Sequence, residues 1–380
     1  MFVGITNSPR DYAWGSRSAI AELFGRPASG APEAELWLGA HPGSPARVIE
    51  PGAADGAATL IDVLDGARLP FLLKILAAAS PLSLQAHPTM AQAKAGFERE
   101  NALGIALDDP TRNYKDAFHK PELIYALSDR FDALCGFRPV ARTRELLGSL
   151  GDAAGPLLDR LIDDSSLEPV FEWLISRGEG IDELVPSIVA ASANRDEPAF
   201  ATVVELSSAY PGDPGIVISL LLNRVTLSRG EVLYLPAGNI HAYLDGLGVE
   251  LMAASDNVLR GGLTPKHIDV PELLAVLDFT PVPVPYLHPV AIADGAVAYR
   301  PGIDDFELVR VTTDTAITLP AASIAVCTAG GFALRGATGS TELVLGDAVF
   351  ITLEDAGLEI TGSGELFIAT SGARGDTTVP

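Results

Sequence analysis

The sequence has 380 residues, of which 48% are hydrophobic and 20% charged, and this composition excludes an intrinsically disordered chain. With 26 basic and 49 acidic residues, its formal net charge of -23 repels nucleic acid but leaves room for a small anion in a basic pocket. The only cysteines, Cys135 and Cys327, are far apart and outside any CxxC spacing, which argues against a disulfide framework or a thiolate metal site.

The amino-terminal segment MFVGITNSPRDYAWGS lacks a basic region followed by a sustained apolar run. No stretch of the sequence reaches the roughly 18 apolar residues that a membrane helix needs. We therefore expect a cytoplasmic protein that does not contact a membrane.

The first 90 residues mix short apolar runs, such as LPFLLKIL at 69–76, with Gly and Pro, a pattern typical of strands and turns. A helix is predicted over 90–101, where MAQAKAGFEREN is rich in helix-forming residues. From about residue 139 to 210, Leu and Ile recur at spacings of three and four, which predicts a helical unit. From Ile216 the pattern of IVISLLLNRVTL predicts strands again, so the helical unit interrupts a strand region.

A short internal similarity links RGEVLYLPAG, from Arg229, to LGDAVFITLE, from Leu345. Each copy places Gly and an acidic residue before a β-rich run, but only the first leads to a histidine, His241. Two related β-barrels, one of which carries the chemistry, would produce this pattern, and so would chance.

Three segments combine metal-ligand side chains with neighbouring Pro or Gly: LSLQAHPTM, FHKPELIY and LPAGNIHAYL. Gln85 and His87 are two residues apart and would project from the same face of a strand. With Glu122 and His241 they would supply an amide oxygen, a carboxylate and two imidazoles, a donor set that suits Zn²⁺ and also Mn, Co or Fe. Any one of these residues alone is more often structural.

Six segments, in this order, resemble the type I mannose-6-phosphate isomerases of the cupin superfamily: YAWGS, ELWLGAHP, LSLQAHP, HKPEL, LPAGNIHAY and DNVLRGGLTPKH. The resemblance implies a mainly β fold of two cupin-type β-barrels (jelly rolls) with an α-helical insertion. The implied units are a catalytic barrel with the zinc site (1–138 and 216–266), an inserted helical domain (139–215) and a metal-free C-terminal barrel (267–380).

The resemblance also implies that D-mannose 6-phosphate and D-fructose 6-phosphate are interconverted, with one zinc ion per chain bound by Gln85, His87, Glu122 and His241. These are the ligands already suggested by the residue types.

An aldose–ketose exchange moves a proton between adjacent carbons through an enediol, so the site must stabilise oxyanion charge and provide acid–base groups. Arg260 resembles the family's active-site arginine, and electrostatic stabilisation is its expected role because guanidinium is always charged. Asp256, His119 and Lys120 are the candidates for proton transfer, and the sequence does not choose among them. Glu250 is a weaker candidate.

The family pattern points to Lys74, Ser83 and Lys266 for binding the substrate phosphate. Lys74 interrupts an apolar strand, where a lysine is expected to meet an anion or to extend to solvent. His41, in GAHPGSP, is assigned no role.

The expected partner is a small-molecule sugar phosphate, with no nucleic acid and no membrane, and the expected assembly is a monomer, with a homodimer as the alternative. An iron-dependent dioxygenase and a non-catalytic sugar-binding cupin with structural zinc remain alternatives. The grouping of Arg260, Asp256 and Lys266 favours the isomerase. The sequence leaves open the strictness for mannose and whether the activity serves catabolism or the synthesis of mannose-containing glycans.

Overall fold

The structure, a computed structural model, describes residues 1–50, 54 and 56–372. Within these residues the chain is mainly β, with antiparallel sheets of ten and nine strands and a group of helices. None of the described helices is long and apolar enough to cross a membrane. The strands are β1 (Phe2–Thr6), β2 (Glu35–Leu38), β3 (Arg47–Val48), β4 (Phe71–Ala78), β5 (Gln85–Ala86), β6 (Glu122–Ala126), β7 (Phe131–Phe137), β8 (Leu222–Leu227), β9 (Val232–Leu235), β10 (His241–Ala253), β11 (Leu259–Arg260), β12 (Val290–Ala293), β13 (Ala296–Tyr299), β14 (Glu307–Val311), β15 (Thr315–Thr318), β16 (Ser323–Arg335), β17 (Ser340–Val344), β18 (Ala348–Ile351) and β19 (Gly357–Thr370).

The helices are α1 (Ala19–Leu23), α2 (Leu60–Leu64), α3 (Met90–Ala102), α4 (Val140–Gly148), α5 (Gly155–Leu158), α6 (Leu167–Ile175), α7 (Ile181–Ser192), α8 (Pro198–Ala209), α9 (Gly215–Ile218) and α10 (Val270–Val276). Most of the helices, α4 to α9, lie along the chain between β7 and β8 of the nine-stranded sheet. The helix predicted at 90–101 is confirmed as α3, which begins with a capping box formed by Thr89 and Gln92.

Helices α4 to α8 occupy the stretch that the Leu and Ile spacing assigned to a helical unit. The strand predicted from Ile216 is wrong at its start, because α9 and a 3₁₀ turn at Ser219–Leu221 precede β8. This apolar run is fully buried in the helical core, and a continuous apolar run does not distinguish a buried helix from a buried strand.

The nine-stranded sheet, here called the metal sheet, has the order β11-β5-β10-β4-β2, with β6 and β7 also pairing with β10, β9 with β6, and β8 with β7. The ten-stranded sheet, here called the C-terminal sheet, has the order β12-β13-β14-β19-β16-β18-β1-β3, with β15 on β19 and β17 on β16. Neither closes into a barrel by these pairings, so the two barrels stay a prediction. β1 joins the C-terminal sheet although the predicted boundary groups residues 1–138 with the catalytic unit, and the domain boundaries themselves stay predictions.

Strand β10 bends in the middle and so pairs with different strands along its length. From His241 it pairs with β7, and from Gly246 onward it pairs with β4 and β6. Gly246 has φ of 133°, and a Cβ there would lie 2.6 Å from the Phe131 ring, so this bend requires glycine. The first residue of β10, His241, pairs with Gln85 of β5, so two of the predicted ligands are neighbours across strands.

Strand β4 is buried on both faces, which explains its nearly continuous apolar sequence FLLKILAA. Leu73 and Ile75 pack in the core shared with the C-terminal sheet. Leu72, Lys74 and Leu76 alternate with them and face the other way. Lys74 therefore lies on the face of the metal sheet that carries the predicted site.

Candidate metal centre and active site

His87 follows the short strand β5 and is almost completely buried. Its Nδ1 is 2.7 Å from the main-chain carbonyl oxygen of Asn257. Because a carbonyl only accepts, Nδ1 carries the proton and Nε2 presents its lone pair. Burial, together with the positive charge of Lys120, lowers the pKa of His87 to about 4, so the imidazole is neutral at neutral pH.

His241 begins β10 and is fully buried. Its Nδ1 is 3.0 Å from the carbonyl oxygen of Asn239, which again leaves the lone pair on Nε2. The turn before β10 thus fixes the tautomer of this histidine through main-chain geometry.

Glu122 begins β6 and lies between the two imidazoles. One carboxylate oxygen is 3.3 Å from Nε2 of His87, and the other is 3.3 Å from Nε2 of His241. Burial alone would raise the pKa of Glu122, but the Lys120 ammonium, 2.9 Å from Oε1, outweighs it and holds the pKa well below the usual range.

These three side chains fit a metal ion. The ligand atoms of His87, Glu122 and His241 all lie within 4.8 Å of one another. Both Nε2 atoms and Oε2 of Glu122 are buried and have no hydrogen-bond partner among the described residues. Lone pairs of two neutral imidazoles directed at an ionised carboxylate repel one another unless a cation lies between them. Two imidazoles and a carboxylate are a donor set that suits zinc.

Gln85, the fourth predicted ligand, occupies the neighbouring position in the sheet. It pairs across strands with both His241 and Arg260. The structure therefore brings Gln85 beside the cluster, and its role as a ligand stays a prediction.

Lys74 is the centre of a buried ion network. Its Nζ is 2.8 Å from Glu250 Oε2 and 3.5 Å from Glu35 Oε1, and Glu35 also accepts a hydrogen bond from the Trp37 indole. Burial alone would lower the pKa of Lys74, but these two carboxylates raise it. Burial raises the pKa of Glu250 despite the neighbouring ammonium. Two carboxylates already neutralise Lys74, and its phosphate-binding role stays a prediction.

The structure separates the adjacent residues His119 and Lys120. Lys120 contacts Glu122 and so belongs to the cluster. His119 Nε2 is instead 2.7 Å from Asp305, which lies between β13 and β14 of the C-terminal sheet. Of the two candidates for proton transfer, only Lys120 touches a metal-site residue.

Asp256 is 47% exposed, and its Oδ2 lies 3.2 Å from His41 Nε2. Burial of the carboxyl raises its pKa, but the hydrogen bond from His41 and nearby positive charges lower it overall. The sequence assigned no role to His41, and its Pro-Gly surroundings contained no signal for this contact.

Arg260 lies on β11, is partly buried, and forms no ion pair within the described part of the chain. Lys266 is exposed, but partial desolvation of its ammonium lowers its pKa, and the positive charges of Arg260 and Lys115 lower the pKa further. Neither Lys115 nor Lys266 forms an ion pair with the described carboxylates. These three cations form a positive patch on a strongly acidic protein.

Sequence reasoning missed Lys115, although it lies four residues before His119 in the same motif region.

Ser83 lies on the segment that leads into β5. Leu84 exchanges main-chain hydrogen bonds with Gly261 and Gly262, directly after Arg260. Ser83 is therefore next to the arginine segment, and its phosphate-binding role stays a prediction.

Tyr243 is another residue that sequence reasoning missed. It lies two residues after His241 on the same strand, so its side chain is on the same face. Its hydroxyl is buried and has no hydrogen-bond partner among the described groups, and burial raises its pKa well above the usual range. The alternation of β10 would have identified it.

Comparison with known proteins identifies the family. The model of the phosphomannose isomerase type I catalytic domain matches residues 2–140. Mannose-6-phosphate isomerase of Escherichia coli (strain K12) is 37% identical over 385 residues, with 95% of this chain and 97% of the relative covered. The Homo sapiens mannose-6-phosphate isomerase is 33% identical over 414 residues, with 94% and 95% covered.

Solved structures agree with the sequence relatives. A zinc-bound holo mannose 6-phosphate isomerase has a TM-score of 0.90 at 35% identity, with 98% of this chain and 100% of that chain covered. The apo form from Salmonella typhimurium has a TM-score of 0.89 at 34% identity, with 98% and 99% covered. The resemblance seen in the six motifs is thus confirmed, and the chain belongs to the type I mannose-6-phosphate isomerase family.

Proposed function

We propose that this protein interconverts D-mannose 6-phosphate and D-fructose 6-phosphate with one Zn²⁺ per chain, bound by Gln85, His87, Glu122 and His241. The observation that carries the proposal is the set of buried, unpartnered ligand atoms on the last three of these residues. Membership of the family supports the reaction, and the zinc-bound relative supports the metal.

When bound, Zn²⁺ would supply a Lewis acid that stabilises the negative charge developing on the sugar oxygens during isomerisation. The chain's own residues prepare this site before substrate arrives. Asn257 and Asn239 orient the two imidazoles through their carbonyls, and Lys120 keeps Glu122 ionised. The ligands therefore need little rearrangement on binding.

We propose Lys120 as the nearest candidate for proton transfer, because its Nζ contacts Glu122 inside the buried cluster. Its ammonium can donate a proton to a sugar oxygen, and it must first lose a proton to act as the base between C1 and C2. Asp256, paired with His41 at the exposed side, is suited to opening the sugar ring. His119 stays a weaker candidate because Asp305 engages its Nε2.

Arg260 and Lys266, together with Ser83, are proposed to receive the anionic substrate. The two cations have no carboxylate partner among the described residues, so their positive charge remains available to a phosphate. A guanidinium matches phosphate oxygens in geometry and in charge. The predicted phosphate-binding role of Lys74 has less support, since Glu250 and Glu35 already contact its ammonium and neutralise its charge.

The finer predictions belong to this proposal as well. They are the two cupin-type barrels, the metal-free C-terminal unit, the cytoplasmic location, and a monomer with a homodimer as the alternative. No specific observation favours the iron-dependent dioxygenase or the non-catalytic sugar-binding protein.

A coupled assay that follows fructose 6-phosphate formation tests the proposal. The protein is stripped with a chelator, assayed, reloaded with one equivalent of Zn²⁺ and assayed again. We expect loss and recovery of turnover. Full activity in the stripped protein would refute the metal assignment, and a zinc-loaded protein that forms no fructose 6-phosphate would refute the reaction.

A further inference from the structure

Two loops that carry site residues are tied together by buried polar side chains. The loop at 115–118 leads to Lys120 and Glu122, and the segment at 255–257 leads to Arg260. They are far apart in sequence, and the side chains between them are almost fully buried, with Asn257 0% and Ser255 1% exposed.

The amide of Asn257 uses both of its ends in this contact. Its Oδ1 accepts from the main-chain N–H groups of Lys115, at 2.7 Å, and Asp116, at 3.3 Å. Its Nδ2 donates to the carbonyl oxygens of Asp116, at 2.9 Å, and Phe118, at 2.8 Å. Only an amide of this size offers an acceptor and two donors at once, so aspartate would direct an oxygen at two carbonyls.

Asp116 completes the contact from the opposite loop. Its carboxylate accepts from the main-chain N–H of Asp256, at 2.8 Å, and from the Ser255 hydroxyl, at 2.8 Å. The same hydroxyl accepts the main-chain N–H of Asn257 at 3.2 Å. We call Asp116, Ser255 and Asn257 the loop clasp.

The loop clasp reaches the metal cluster through the main chain of Asn257. Its carbonyl oxygen accepts the Nδ1–H of His87, which lies on a third segment. The amide of Asn257 holds this carbonyl in place by binding the 115–118 loop, and that loop continues to Glu122. Two ligands from different segments are thus positioned by one side chain.

We infer that Asn257 is a positioning residue for the metal centre. Its amide fixes the carbonyl that selects the His87 tautomer and aligns this imidazole with Glu122. Groups that hydrogen-bond to metal-binding histidines fix the tautomer and the ring orientation, and replacing them weakens metal binding. The inference rests on the metal assignment of the proposed function but not on the sugar reaction.

The test compares zinc affinity in Asn257→Asp with that in Asn223→Asp, measured by competition with a chromophoric chelator. Asn223 also donates its amide to several main-chain carbonyls, but none of these belongs to a metal-binding residue. We expect the zinc dissociation constant to rise about 10- to 100-fold in Asn257→Asp. It should stay at the parent value in Asn223→Asp, although both variants lose thermal stability.

Absorption bands of the Co²⁺-substituted proteins provide a readout that a loss of stability alone would not change. A changed ligand field in Asn257→Asp, with the parent spectrum in Asn223→Asp, supports the positioning role. If Asn257→Asp does not fold, Ser255→Ala, which deletes one hydroxyl of the loop clasp, is expected to show the same changes to a smaller degree.

Parent affinity and parent spectrum in the folded variant, or equal losses of affinity in both asparagine variants, would overturn the inference. Weak zinc binding by the unmodified protein would instead count against the metal assignment itself, so the two failures are distinguishable.

Discussion

The metal sheet and the C-terminal sheet share a plan at their central strands but differ in the residues that bind a metal. The pair β9–β10 and the pair β18–β19 each consist of a short strand followed by a long one, and both long strands bend at a glycine with positive φ, Gly246 at 133° and Gly362 at 138°. The number of residues from Gly230 to Gly346 equals the number from Gly246 to Gly362. The short internal similarity thus extends into the structure.

At the ligand positions the two sheets differ. The position of His241 corresponds to Gly357 in the C-terminal sheet. In the metal sheet, Glu122 pairs with Leu235. The corresponding pair in the C-terminal sheet is Ser323 with Ile351, so a serine takes the place of Glu122. The C-terminal sheet forms without these ligands, so this strand arrangement does not require them. The metal-binding chemistry depends on a few side chains and not on the strand arrangement itself.

The largest expected effect comes from removing a metal ligand of the metal sheet. His241→Ala should abolish activity and tight zinc binding at ordinary zinc concentrations, because it removes one of the buried ligands. Turnover and metal content, measured together, check this.

Gly357→Ala is the matched control, since a Cβ there meets no atom within 4 Å. It should leave zinc content and turnover unchanged. More than one tightly bound zinc per chain in the unmodified protein would contradict the metal-free assignment of the C-terminal sheet.

The next prediction concerns a buried carboxylate of the C-terminal sheet. Glu365 accepts from Arg310 Nε at 2.8 Å, from Arg229 at 3.2 Å and from the Tyr125 hydroxyl at 3.2 Å, so it joins the two sheets. Glu365→Ala leaves these groups without their partner and should reduce the free energy of unfolding by about 3 kcal/mol. Denaturant unfolding measures this loss.

Zinc affinity should stay at the parent value in folded Glu365→Ala, because none of these contacts involves a ligand. A large loss of zinc affinity would show that the two sheets are not separable in function.

The third prediction concerns recognition of the substrate phosphate by Lys266. In the proposed function Lys266 makes a charge-assisted contact with the phosphate, so Lys266→Ala should lower kcat/KM for mannose 6-phosphate about ten- to a hundredfold, which corresponds to roughly 1.5–3 kcal/mol. Turnover of unphosphorylated mannose should be low in the parent and barely altered in the variant. Both sugars are compared at one fixed salt concentration, because screening changes anion binding.

Lys94→Ala, which removes an exposed lysine of α3, controls for the loss of one positive charge. An equal loss of kcat/KM on both sugars in Lys266→Ala would assign this lysine to chemistry or folding instead of phosphate binding.

The smallest expected effect is at the contact between His119 and Asp305, through which the C-terminal sheet supports the loop before Glu122. Asp305→Asn removes the charge from a partly exposed pair and should reduce stability by about 1 kcal/mol. Zinc affinity should not change. Asp304→Asn, an exposed neighbour, is the control, and thermal unfolding distinguishes the two.

Equal thermal stability of these two variants would show that the His119–Asp305 contact contributes nothing.

The sequence predicted the helical unit, the helix α3 and the three buried metal-site side chains. The helix follows from residue propensities and the Thr89–Gln92 capping box, which depend only on neighbouring residues. The metal-site side chains stand in short motifs whose Pro and Gly neighbours fix the local backbone. The helix is encoded within a few residues, so local sequence was sufficient to predict it. The ligand assignment also needed the resemblance of the six motifs, because any one of these residues alone is more often structural.

Tertiary structure decided the partners of these side chains. Lys74 meets Glu250 from a strand far along the chain, so an unusual lysine in an apolar strand became the centre of an ion network. Asn257 contacts the main chain of the 115–118 loop and the imidazole of His87, and neither contact leaves a periodic trace in the sequence. Strand β1 pairs with β18, near the other end of the chain, for the same reason. Periodicity reports only which side of an element is buried, whereas the choice of neighbour depends on packing between residues that are distant in sequence.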